Sequence, residues 1–107
     1  MRGKNLPNDL VFEEQLFAEN MGMKIKFSRK FRKVTQSQLA KSMHITFQQF
    51  QKYEGGQNSI SVFRLHQISS KLNIDISSFF LPLAAFINYV RYQNIDITSQ
   101  EFHEQNE

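Results

Sequence analysis

Five glutamines lie within "TQSQLAKSMHITFQQFQKYEGG", residues 35–56: Gln36, Gln38, Gln48, Gln49 and Gln51. A primary amide donates and accepts hydrogen bonds at once and carries no charge. It can grip adenine N6 and N7 with two hydrogen bonds, or reach a phosphate oxygen. The segment holds no acid before Glu54, so little in it repels a polyanion. Other chemistry finds less support. His44, His66 and His103 sit far apart, cysteine is absent, and neither a glycine-rich phosphate loop nor a nucleophile elbow is present. No catalytic residue, metal ligand or cofactor is therefore expected, and the chain is not expected to be an enzyme.

Charge points the same way. The net formal charge of +3 conceals an uneven distribution: residues 24–71 carry ten Lys/Arg against Glu54 alone, whereas both flanks are net acidic. A basic centre of this kind suits a polyanionic partner. The 107 residues suffice for one domain. The chain contains no apolar run of membrane-spanning length, and "MRGKNLPNDL" lacks the apolar core of a signal peptide. A cytoplasmic location is expected.

The elements that must position the glutamines read as helices throughout. Residues 1–8 read as a loose arm. A short helix then starts at Asn8 or Asp9 and ends at Asn20 or Gly22. "MKIKFSRKFRKV" (23–34) reads as a separate basic helix. Thr35 caps a short helix over 36–43, and "MHIT" is a tight turn. Thr46 caps a second short helix over 47–54, which Gly55 and Gly56 stop. Ser59 or Ser61 caps a helix through Leu72, with Val62, Leu65, Ile68 and Leu72 as its apolar stripe. Asn73 or Asp75 opens a last turn through "ISSFF". "LPLAAFINYVRYQ" (81–93) forms a further helix, and the remainder is polar and acidic, with Thr98 and Glu101 at capping-box spacing.

The two short helices carry the most specific spacing. Counting from Gln36, small Ala40 is fifth, where a second helix crosses closely. Ile45, Phe50 and Tyr53 are tenth, fifteenth and eighteenth, where apolar groups must pack. This is the helix-turn-helix pattern. Ile25, Arg29, "TQSQLA", "KYEGG" and "RLHQISSKLNIDISSFF" extend the match over residues 21–81. The chain resembles the phage repressor/Cro-like family, also called the xenobiotic response element family.

That resemblance implies an all-α, five-helix DNA-binding domain over 21–81. Residues 1–20 add an N-terminal arm and helix, and residues 82–107 a C-terminal helix and acidic tail. It implies that helix 47–54 reads the major groove of double-stranded DNA. By position in the motif, Phe47, Gln48 and Lys52 face base edges; Gln36, Thr46, Gln49, Asn58 and Ser59 face phosphates. Arg29 and Glu54 match a pair that the family joins as a partly buried salt bridge. His44 and Lys33 stand where the family commonly has glycine, which puts local turn geometry in question.

Leu83, Phe86, Ile87 and Val90 form a stripe that serves either this domain's own core or a two-fold dimer; the dimer is the expectation, because a homodimer doubles the bases read. The functional expectation is a sequence-specific transcriptional repressor of bacterial or phage type on a palindromic operator, with no small-molecule effector. An antitoxin-type or other protein-interaction module built on the same fold is the alternative.

Overall fold

A computed structural model describes the backbone of residues 2–93 and the side chains of residues 11–93. Everything regular in it is helical: α1 (Arg2–Phe31), α2 (Gln36–Ser42), α3 (Phe47–Glu54), α4 (Val62–Leu72), a 3₁₀ helix (Ile76–Phe80) and α5 (Leu83–Gln93). The acidic tail with Thr98, Glu101 and His103 lies outside the described residues.

Helix starts follow the polar caps. Thr35 and Gln38 form a reciprocal capping box, with Gln38 N–H donating to Thr35 Oγ1 at 3.0 Å and Thr35 N–H to Gln38 Oε1 at 2.9 Å. Thr46 caps α3 by accepting from Gln49 N–H at 3.0 Å. Of the alternatives the sequence leaves open, Ser61 caps α4 and Asp75 caps the 3₁₀ helix. Asn73 instead ends α4.

The helix ends share one device. α1, α2, α3 and α4 each close with an N–H bonded to the carbonyl five residues back and a left-handed residue just before it: Lys33, His44, Gly56 and Asn73. Only Gly56 takes this conformation freely. His44 and Lys33, both standing in place of glycine, adopt φ of 59° and 62°. The turn geometry is thus retained, and a side chain is tolerated there because both residues are exposed.

The first two expected helices are one. α1 runs unbroken for 30 residues, through the positions read as a loose arm and through Gly22. Glycine in a helix costs only about 1 kcal/mol relative to alanine, and here it permits close contact. A Cβ at Gly22 would fall on the Glu54 carbonyl oxygen and within 2.7 Å of the Tyr53 carbonyl oxygen. Gly22 is therefore where the end of α3 crosses α1. Gly22→Ala is expected to lower stability by about 1–3 kcal/mol, despite its better helix propensity, as read by urea unfolding. A neutral or stabilising result would mean that the crossing is looser than described.

The core gathers Ile25, Leu39, Ala40, Met43, Phe50, Leu65, Ile68, Leu72, Phe79, Phe86 and Val90. Ile45 and Tyr53 are only half-buried, at its edge. Val62, expected in the α4 stripe, is 76% exposed, because the first turn of α4 overhangs the core. The α5 stripe divides. Phe86 and Val90 are fully buried in this chain's own core, where Phe86 packs on Phe79 at 5.0 Å between ring centres. Leu83 and Ile87 are half-buried. Two of the four residues expected at a dimer interface, Phe86 and Val90, are therefore committed within the chain.

Three of the ten basic residues in 24–71 are also internal. The Lys24 ammonium donates to the carbonyls of Phe79 (2.8 Å) and Leu81 (2.5 Å). Arg32 donates to the Leu72 carbonyl (2.9 Å) and to Gln93 Oε1 (2.8 Å). Burial pushes the pKa of both groups below the ordinary range, and Tyr89 partly offsets this for Arg32. These cations fasten α1 to the C-terminal elements.

Candidate nucleic-acid interface

α3 has a held side and a free side. Phe50 is fully buried, and Glu54 at the last turn is 8% exposed. The Glu54 carboxylate accepts from Arg29 Nε at 2.6 Å and Arg29 Nη2 at 3.1 Å, a two-pronged grip from α1. Arg29 Nη1 donates onward to the Val34 carbonyl at 2.9 Å, so one guanidinium joins α1, the turn after it and α3. This is the pair expected from the sequence, and it is more deeply buried than "partly" implied.

On the free side, Gln48, Gln51 and Lys52 are exposed, and Phe47 is 40% exposed. The spacing explains part of this: Gln48 and Lys52, four apart, fall on the helix face opposite Phe50 and Glu54, whereas Phe47 lies on the Phe50 side and is exposed because it opens the helix. Gln48 and Lys52 therefore share one solvent-facing surface, and Phe47 stands exposed at its N-terminal edge.

The expected phosphate group is more heterogeneous. Thr46 is exposed, with its hydroxyl oxygen used by the α3 cap. Gln49 Nε2 reaches toward Asn58 Oδ1 at 3.5 Å, tying α3 to the loop that follows it. Gln36 is half-buried, and its Nε2 donates to Glu54 Oε1 at 2.9 Å. Its amide thus completes the Arg29–Glu54 network and keeps a second N–H for another acceptor. Ser59 donates to Glu14 Oε2 at 3.1 Å. A carboxylate beside an expected phosphate contact is unfavourable for an anion. Reading the N-terminal helix as a separate element hid this contact, which depends on the register of the continuous α1.

Gln36 in the buried network and Glu14 beside Ser59 were not found from the sequence. Gln36 carried a usable signal, since it opens a helix next to a buried carboxylate. Glu14 carried none.

Two angled short helices, with the second locked behind and bare in front, define a helix-turn-helix domain. The chain belongs to the helix-turn-helix family, which it matches over residues 25–79. Over 61 residues it is 43% identical to an uncharacterized HTH-type transcriptional regulator of Sinorhizobium medicae and to another of Rhizobium meliloti, covering 57% of this chain and 44% of each relative. It is 38% identical over 64 residues to an uncharacterized transcriptional regulator in the ATPase CF(0) region of Rhodospirillum rubrum, covering 60% of this chain and 59% of that protein. The chain thus spans less than two thirds of the length of these curated relatives. No solved structure matches it. Among the described residues, no helix is long and apolar enough to cross a membrane.

Proposed function

We propose that the protein is a sequence-specific DNA-binding regulator of transcription, of bacterial or phage type, acting as a homodimeric repressor on a palindromic operator in the cytoplasm. α3 enters the major groove. Gln48 reads adenine, Lys52 reaches guanine or a phosphate, and Phe47 touches a thymine methyl. Gln36, Thr46, Gln49 and Asn58 hold the backbone. The observation that carries this reading is the two-sidedness of α3: a buried salt bridge and Phe50 behind, Gln48 and Lys52 bare in front. The names of the relatives support it.

Selection of bound duplexes from a random pool tests the proposal. A symmetric consensus with half-sites about 34 Å apart is expected. Gln48→Ala and Lys52→Ala are expected to relax one position each, worth about 1–3 kcal/mol of discrimination. Gln36→Ala is expected to weaken all sequences alike. An identical consensus for the parent and the Gln48 variant would remove the role given to Gln48.

A further inference from the structure

α1 carries an apolar stripe that the described residues leave largely uncovered. From Val11 to Phe17 every side chain is exposed, and Ala18 is the first buried one. Phe12 is 62% exposed, and Leu16 and Met23 are each 49% exposed. Phe27 is partly buried and stacks on Phe31 with ring centres 6.0 Å apart. At 3.6 residues per turn, Phe12, Leu16, Met23 and Phe27 fall within about a sixth of a turn. Met21, Ile25, Ser28 and Arg32, all buried, occupy the opposite side of the helix. A helical arm of this length is marginal alone in water, and a contiguous exposed apolar stripe marks an interaction surface.

The spacing identifies the occupant. The intervals along the stripe read the same from either end. Laid antiparallel on a copy of itself, it puts Phe12 opposite Phe27 of the second copy, and Leu16 opposite Met23 of the second copy. Such self-complementarity is what a two-fold interface requires. Charge selects the same direction. The stripe's N-terminal half is flanked by exposed Glu13 and Glu19, and its C-terminal half by exposed Lys26 and Lys30. An antiparallel pair sets acid against base, whereas a parallel pair sets like against like.

We propose that the protein forms a two-fold dimer through the outer face of α1, paired antiparallel along Phe12, Leu16, Met23 and Phe27. Each arm covers the exposed stripe of the other copy, and the two domain bodies lie on opposite sides of the pair. α3 crosses α1 at Gly22, about a third of a turn round from the stripe. A two-fold axis therefore leaves both α3 helices on one side.

Sedimentation velocity of the full chain without DNA tests this, so its outcome does not depend on the DNA reading. The parent is expected to sediment as two chains. Leu16→Glu is expected to sediment as one, with cooperative urea unfolding of the domain retained because Leu16 supports no buried core. Leu83→Glu and Ile87→Glu are expected to leave the dimer intact. The chain has no cysteine, so introduced thiols report register cleanly. Leu16→Cys combined with Met23→Cys is expected to cross-link two chains on mild oxidation, with each single variant remaining unlinked. A parent that sediments as one chain, or a dimer that survives Leu16→Glu, would overturn the proposal. So would a dimer lost only in the Leu83 and Ile87 variants, or cross-linking by Leu16→Cys alone.

Discussion

Glu54→Ala lowers folding stability by about 3–5 kcal/mol, because it strands a buried guanidinium. The side chains of Arg29 and Glu54 are 7% and 4% exposed, and the carboxylate also accepts from Gln36 at 2.9 Å. Truncation leaves Arg29 Nε and Nη2 without an acceptor in a site that water barely enters. Against a total of about 5–15 kcal/mol for a domain of this size, that loss leaves little margin. Replacing both partners together, as Arg29→Met with Glu54→Leu, recovers much of it, since the desolvation of two charges is no longer required. Urea unfolding followed by circular dichroism measures both. A Glu54→Ala variant within about 1 kcal/mol of the parent, the order of an ordinary hydrogen bond, would show that the pair is solvated.

On the proposed function, raising the salt from about 50 to 200 mM is expected to weaken DNA binding by about 10³–10⁵-fold, the range for a protein that neutralises six to ten phosphates. With about eight phosphates the log–log slope is near −7. The charges available for this are the exposed Lys33, Lys41 and Lys52, with half-buried Arg64 and Lys71, in each copy, and Lys26 and Lys30 beside the α1 stripe add to them only outside the α1 pairing. Lys24, Arg29 and Arg32 are used internally. The same titration separates the regulator from the protein-interaction module. An interface built on apolar side chains responds little to salt, and a nearly flat profile with the natural ligand would favour that alternative.

What was legible in the sequence was whatever one residue type announces locally. Thr35 and Thr46 cap because a hydroxyl before a helix accepts a backbone N–H. Ala40 and Phe50 were readable because two short helices leave little choice of residue at a crossing. The Arg29–Glu54 pair came through the family pattern. What stayed hidden depends on distant backbone or on symmetry. Gly22 as a stop and Gly22 as a crossing point look identical in one dimension. Lys24 and Arg32 were read as surface charge because their partners are carbonyl groups, which every residue has. The stripe at Phe86 and Val90 has the same period whether it faces its own core or a copy. The exposed stripe lies instead on α1, which is one continuous helix where the sequence suggests an arm and a short helix.

The attachment of α3 to α1 has a mechanical consequence. The end of α3 is gripped at Gly22 and again at Arg29, two points on one uninterrupted helix. A body clamped at two places on a rod has no swivel. Tilting the N-terminal end of α1 therefore turns α3 with it, and anything that grasps that end has leverage over the angle at which Gln48 and Lys52 are presented.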